Sequence, residues 1–211
     1  MRGGKVTDSL LAGVVVAAAV TGFLVLRGPG PTVESQLHSE IGRVLARESL
    51  SVLRPGGEIV VLTRDTEAFR QPALDLVLRS FEREVGRHGK SAVTVRAFPL
   101  DPLRPVKAPP GDFFELMRRL GPDKAVVSLL GPPMLTLAQR RVLRPGSPRV
   151  IAFCPGAVPG AADLGGLLDS GLLQVAVVDR PSAAGAARFD DRYVVLRSPV
   201  GLAGTESHAN P

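Results

Sequence analysis

Six polar residues of this chain are placed to bind a small polar ligand. They supply hydroxyl groups, carboxylates and a guanidinium, and each follows closely on an apolar run that could form a strand. They are Thr63, Arg64, Asp65, Thr66, Asp101 and Asp179. Such groups hold a ligand through directional hydrogen bonds, which makes these six the predicted ligand-binding residues. The alternative is that Asp65 or Thr66 caps the next helix and that Arg64 is solvated.

The sequence offers no comparable pattern for catalysis, metal binding or nucleotide binding. No G-x-G-x-x-G follows the first predicted strand, and neither G-x-x-x-x-G-K-[ST] nor G-x-S-x-G occurs. The histidines His38, His88 and His208 lie away from the predicted strand ends and are not paired at metal-ligand spacing. The single cysteine, Cys154, follows an apolar run and has no identifiable base, so a buried thiol is favoured over a nucleophile. We therefore predict no catalytic residue, no metal and no cofactor, and an enzyme is the least favoured class.

The N-terminal segment Ser9–Leu26 contains no charged residue. As a helix it would rise about 27 Å, close to the thickness of a bilayer's hydrocarbon core. Arg2 and Lys5 precede it and Arg27 follows it, which places the N-terminus inside by the positive-inside rule. The pattern predicts an uncleaved single-pass anchor in a bacterial inner membrane, with the rest of the chain on the extracytoplasmic side. The alternative is a signal peptide cleaved near Ala17–Ala19.

The charges of the chain do not indicate a nucleic-acid partner. The formal net charge is +6, but part of it flanks the apolar segment and the remaining cations are interspersed with acidic residues. The pairs Arg118–Arg119 and Arg140–Arg141 have the pattern of solvated helix faces. With a single Tyr and no Trp, the chain lacks the aromatic side chains on which single-stranded bases stack.

Beyond the apolar segment, short apolar runs alternate with amphipathic stretches. The predicted strands are Glu58–Thr63, Ser91–Phe98, Lys124–Leu130, Arg149–Phe153, Leu172–Val178 and Arg192–Arg197, the last an edge strand. The predicted helices between them are Gln71–His88, Asp112–Leu120, Met134–Leu143 and Asp163–Leu168. Strands that are apolar throughout indicate a sheet covered on both faces. The predicted fold class is α/β, a three-layer sandwich around a mostly parallel five- or six-stranded sheet, preceded by a transmembrane helix.

An amphipathic helix is predicted at Val33–Arg47, where apolar residues fall on one stripe. It is interpreted as a connecting helix packed on the domain, and the alternative is a protein partner or a homodimer bound through it. The predicted organisation is a cytoplasmic N-terminus at 1–8, the anchor at 9–26, a linker with the connecting helix at 27–54, the α/β domain at 55–197 and a disordered tail at 198–211.

The stretch Glu58–Asp179 resembles one lobe of a type I periplasmic binding protein. The resemblance lies in the order of IVVLTRDT, a long amphipathic helix, KAVVSLLGPP, a further helix and RVIAFCPG. It implies a doubly wound domain that binds its ligand at the strand ends. Those receptors close two lobes on a ligand, whereas this chain has the length of one lobe, so two copies or a partner would complete a cleft.

Together these features predict a membrane-anchored, extracytoplasmic binding or sensing module for an unknown small ligand. The alternative is a non-catalytic structural or assembly component of a cell-envelope complex, in which the connecting helix and the proline-rich stretch Pro99–Pro110 would be contact surfaces.

Overall fold

The computed structural model of the chain describes residues 34–66, 70–88, 91–99, 110–143, 147–156, 163–181 and 185–201. The predicted anchor Ser9–Leu26 and the predicted site residue Asp101 lie outside the described residues, as does most of the stretch Pro99–Pro110. None of the helices in the described ranges combines the length and apolarity needed to cross a bilayer.

Six strands form a single sheet with helices between them. The strands are β1 (Ile59–Arg64), β2 (Val93–Phe98), β3 (Ala125–Ser128), β4 (Arg149–Cys154), β5 (Val175–Asp179) and β6 (Tyr193–Arg197). The helices are α1 (Ser35–Val52), α2 (Pro72–His88), α3 (Pro110–Arg119), α4 (Leu137–Val142), α5 (Leu164–Asp169) and α6 (Phe189–Arg192), followed by a 3₁₀ turn at Pro199–Gly201. The strand order is β2-β1-β3-β4-β5-β6; β1 to β5 are parallel and β6 is antiparallel to β5. The predicted α/β class with a mostly parallel sheet is confirmed.

The central strands are buried on both faces because their apolar side chains alternate between two cores. In β1, Val60 and Leu62 pack into a core built with α3 and α5. Ile59 and Val61, one residue out of phase, pack into a second core built with α1 and α2. A strand with a period of two can serve both cores only if each face is apolar, which explains its uninterrupted apolar composition.

Helix α1 packs as part of the domain. Leu37, Ile41 and Leu45, from its apolar stripe, are almost fully buried in the second core. At Gly42 the helix approaches α2 so closely that an added Cβ would lie 2.3 Å from the carbonyl oxygen of Val77. The apolar stripe of α1 is therefore buried inside the domain. A homodimer or a partner bound through this helix stays a prediction, and it would have to contact the outer face of the helix.

The two edge strands differ in how they are covered. The strand β6 lies at one edge, as predicted, and Arg197 at its end donates two hydrogen bonds to the buried carboxylate of Glu48 on α1. The strand β2 lies at the other edge and exposes most of its residues, including 41% of Val95. The expectation of strands covered on both faces is wrong for β2, because the helices pack over the strands nearer the centre.

Several predicted boundaries differ from the structure, and the helix predicted at Val33–Arg47 spans Ser35–Val52. The third strand ends at Ser128 rather than Leu130, because the chain turns there toward Gly131, whose φ of 87° is left-handed. The fifth strand begins at Val175 rather than Leu172, after a turn at Gly171 with φ 68°. Packed structure continues past the predicted tail boundary, since Ser198 is buried and its hydroxyl donates to the carbonyl oxygen of Leu168 at 2.6 Å.

Candidate functional site

A pocket of about 230 Å³ opens at the carboxyl ends of β1, β3 and β4. From β1 the chain leads outward to β2, whereas from β3 it leads to β4 on the other side, so the strand order reverses between β1 and β3. Ligands of open α/β sheets bind in the crevice at such a reversal. The lining comes from these three strand ends and from α1 and α2: His38, Thr63, Arg64, Gln71, Ala73, Leu74, Val77, Leu129, Leu130, Phe153 and Pro155. We call it the carboxyl-edge pocket.

The polar groups of this pocket come from four residues on three segments. Thr63 is buried, and its hydroxyl donates a long hydrogen bond of 3.5 Å to the carbonyl oxygen of Arg64. His38 lies on the first turns of α1, where its Nδ1 is 2.8 Å from the carbonyl oxygen of Glu34. A carbonyl oxygen only accepts, so Nδ1 is the donor of this hydrogen bond, and in the neutral form of the ring Nε2 is then an acceptor. Gln71 adds an amide just before α2.

Apolar side chains make up the remainder of the lining. Leu74 and Val77 on α2, Leu130 after β3 and Phe153 at the end of β4 surround the polar groups. The permanent charge of the lining comes from Arg64, whose guanidinium can hold a carboxylate or another acceptor in a planar fork. The arrangement suits a small ligand with an apolar body and one acceptor or anionic group.

The structure brings two of the predicted site residues together in this pocket and places three others apart from it. Thr63 and Arg64 line it. Asp65 and Thr66 follow β1 beyond the lining, and the backbone N–H of Asp65 donates to the carbonyl oxygen of Phe98 at 2.8 Å, which extends the pairing with β2.

Asp179 holds a neighbouring turn instead of facing this pocket. Its carboxylate accepts a hydrogen bond from the backbone N–H of Gly156 at 2.5 Å, which ties the end of β5 to the turn after β4. The other carboxylate oxygen, Oδ1, is buried and has no hydrogen-bond partner among the described residues.

Sequence reasoning missed His38 and Gln71 as pocket residues. His38 lies on the connecting helix, as predicted, but that helix brings it to the pocket at the strand ends, which was not predicted. Because α1 runs antiparallel to β1 and packs on the sheet, its first turns lie beside the carboxyl ends of the strands. The apolar stripe of α1 was the available signal, since a helix that packs on a parallel sheet and leads directly into β1 must begin at that edge.

Cys154 lies in the opposite core from α1 and has no surface exposure. Burial raises the pKa of its thiol to about 12, so the reactive thiolate is disfavoured at neutral pH. The described residues also contain no group of three or more His, Cys, Asp or Glu side chains that could hold a metal ion.

No protein-family model and no curated protein matches the chain in sequence. Solved structures that match part of the chain include three proteins of sugar transporters. An ABC transporter solute-binding protein from Agrobacterium vitis, bound with α-D-tagatopyranose, is 18% identical with a TM-score of 0.47 over 76% of this chain and 56% of that one. The glucose-galactose binding protein GanP from Geobacillus stearothermophilus is 18% identical, with a TM-score of 0.45, and the match covers 79% of this chain and 61% of that one. A periplasmic ribose ABC transporter protein from Conexibacter woesei is 15% identical, with a TM-score of 0.45, and the match covers 67% of this chain and 45% of that one. The chain spans about half the length of these proteins, and at these scores the matches carry no information about its function.

Proposed function

We propose that the chain is a membrane-anchored, extracytoplasmic binding or sensing module that holds a small ligand in the carboxyl-edge pocket. The observation that carries the proposal is the position of this pocket, at the reversal of strand order between β1 and β3. Thr63 and Arg64 reach it from the first strand, and His38 reaches it from the first helix. A binding role fits this lining better than catalysis, because among the described residues the Thr63 hydroxyl is hydrogen-bonded to the carbonyl oxygen of Arg64 and not to the ring of His38.

The size and lining of the pocket restrict the ligand. At about 230 Å³ the pocket is smaller than the range of roughly 300–1,000 Å³ that holds drug-sized molecules. Arg64 would pair with a carboxylate or a similar acceptor of the ligand. The hydroxyl of Thr63 and Nε2 of His38 would form further hydrogen bonds, which would discriminate between ligands. We therefore infer a small ligand with an apolar body and one anionic or strongly accepting group.

The membrane attachment in this proposal rests on the sequence of Ser9–Leu26 and its flanking cations. Asp65 and Thr66 follow β1 at this edge of the sheet and stay part of the proposed ligand-binding set. Asp101, which comes after β2 in the sequence, also stays in that set. Asp179 would act on the ligand through the turn at Gly156, to which it is hydrogen-bonded.

Native mass spectrometry of the full chain, extracted gently from its own membranes, tests the proposal. We expect a small bound mass that leaves on collisional activation. Arg64→Gln removes the charge of the pocket, and Ala73→Phe fills its space. Both variants should lose the bound mass. Ala92→Phe, at an exposed position outside the pocket, is the matched control and should keep it.

Two results would contradict the proposed function. A bound mass that persists in Arg64→Gln and Ala73→Phe would show that the ligand lies elsewhere. A stoichiometric protein partner with no small molecule would favour the assembly component instead. One observation supports that second candidate: β2 is an exposed edge strand, and an unpaired edge can add a strand from another chain.

A further inference from the structure

A larger groove lies at the opposite edge of the sheet, where the parallel strands begin. Its volume is about 620 Å³, which falls within the range of pockets that hold drug-sized molecules. It is lined by Arg54, Pro122, Leu137, Arg140, Arg141, Leu143, Ser147, Arg149, Gly166, Ser170, Gly171, Leu172, Gln174 and Val200. We call it the amino-edge groove.

Arginine side chains give this groove a strong positive charge. Arg54 precedes β1, Arg140 and Arg141 lie on α4, and Arg149 begins β4, so the fold gathers residues from distant parts of the chain. None of the described residues in the lining is an Asp or a Glu. Arg140 pairs with Asp163 at 3.3 Å at the rim. Within the described ranges, the guanidinium groups of Arg54, Arg141 and Arg149 have no such ion pair.

The other polar groups of the groove are engaged within the fold. The side-chain oxygen of Gln174 accepts a hydrogen bond from the backbone N–H of Val150, and its amide nitrogen donates to the carbonyl oxygen of Gly171 at 2.6 Å. The hydroxyl of Ser170 donates to the carbonyl oxygen of Leu167 at 3.2 Å. The arginines are therefore the donors that the groove presents to a ligand.

Apolar side chains stand exposed beside these arginines. Leu137 on α4 is 73% exposed and Val200 in the 3₁₀ turn is 60% exposed, and both line the groove. Leu143 and Leu172 add further apolar surface to the lining. Exposed apolar surface next to these guanidinium groups complements a molecule that carries an anionic head and an apolar part.

We propose that the amino-edge groove is a second binding site, for a small organic anion that joins a carboxylate or a phosphate to an apolar group. Arg141 and Arg149 would hold the anionic head by charge-assisted, bidentate hydrogen bonds. Leu137 and Val200 would cover the apolar part. This site is at the opposite edge of the sheet from the carboxyl-edge pocket and does not depend on the function proposed for that pocket.

Isothermal titration calorimetry with the full chain tests the second site with four probes. Phenyl phosphate and phenylacetate carry both features, inorganic phosphate carries only the charge, and benzyl alcohol carries only the apolar ring. We expect saturable binding of phenyl phosphate or phenylacetate, and the tighter of the two identifies the head group. Inorganic phosphate and benzyl alcohol should bind at least tenfold more weakly than that probe.

Substitutions assign the binding to the groove. Arg141→Gln with Arg149→Gln should weaken the tighter probe at least tenfold. Leu137→Ala should weaken it severalfold and leave inorganic phosphate unchanged. Arg79→Gln, an exposed arginine on α2 outside the groove, is the matched control and should bind as the wild type does. Circular dichroism of each variant confirms that it folds. If Arg149→Gln does not fold, the single substitutions Arg141→Gln and Leu137→Ala still test the site, because both residues are exposed.

Three outcomes would overturn the proposal. The first is no saturable binding of either aromatic anion. The second is an equal loss in Arg79→Gln, which would indicate attraction to the overall charge of the chain. The third is equal affinity for inorganic and phenyl phosphate, which would leave the apolar half without a role. Arg64→Gln separates the two sites, because it alters the carboxyl-edge pocket and should not change binding in the amino-edge groove.

Discussion

Substituting Gly42 with alanine tests the packing of α1 against α2. A Cβ at this position would lie 2.3 Å from the carbonyl oxygen of Val77 and 3.0 Å from the backbone nitrogen of Phe81. Both are main-chain atoms, so no side chain can rotate away. To reach an ordinary contact, the two helices would have to separate by roughly 1 Å, which loosens a close-packed core.

The expected loss of stability follows from two opposing effects. Overpacking of a close contact costs about 1–3 kcal/mol, and a clash with backbone belongs at the upper end of that range. Alanine regains up to about 1 kcal/mol over glycine in a helix. We expect Gly42→Ala to lower the free energy of unfolding by about 2 kcal/mol, which corresponds to a fall of roughly 4–8 °C in Tm for a domain of this size.

Gly86 on α2 is the matched control, because a Cβ there meets nothing within 4 Å. Gly86→Ala should therefore stabilise the fold by up to about 1 kcal/mol. Urea denaturation followed by circular dichroism at 222 nm measures both variants. If Gly42→Ala is as stable as the wild type or more stable, the helices do not approach each other as described, and the assignment of α1 to the domain core is refuted.

Three further predictions concern buried and paired side chains. The pKa of Glu58 lies below its ordinary value of 4.5, chiefly because Lys124 hydrogen-bonds its carboxylate, so this stabilisation is present above that pH and is lost as the pH falls through the folded-state pKa. Between about pH 5 and pH 3, the Tm of Glu58→Gln should consequently fall less than that of the wild type, and parallel curves would contradict the assignment. Glu48→Gln, which weakens the pair with half-exposed Arg197, should lower the free energy of unfolding by about 1–2 kcal/mol, and an unchanged urea midpoint would show that the pair contributes little. Cys154 should resist iodoacetamide at neutral pH in the folded chain and react once urea unfolds it, and alkylation of the folded protein, detected by mass spectrometry, would disprove its burial.

The fold could be predicted from the sequence because its local signals agree with one another. The run Ile59–Leu62 is apolar at every position, which is typical of a strand in a sheet that is covered on both faces. The alternation of such runs with amphipathic stretches then specifies the layers. The exposure of β2 was not predicted, although Thr94 and Arg96 make this strand more polar than the central strands; its edge position depends on the strand order, which the local pattern does not specify.

The candidate sites could be predicted only in part, since they depend on how distant segments meet. Thr63 and Arg64 lie at the carboxyl end of β1, and the rule that open parallel sheets bind ligands at the carboxyl ends of their strands was enough to find them. His38 lies on a helix whose direction is decided by packing. The four arginines of the amino-edge groove are scattered along the chain and have the pattern of solvated charges until the fold brings them to one edge.

The contacts of α1 with β6 and α6 have a consequence for how the chain folds during synthesis. Glu48 and Arg197 are 149 residues apart, and the ion pair of Glu34 with Arg192 joins positions separated by 158 residues. The first described helix thus gains its last partners only when nearly the whole domain has left the ribosome. Until then part of its apolar face lacks its final cover, so we expect the domain to complete its folding late and to be prone to aggregation when translation stops before β6.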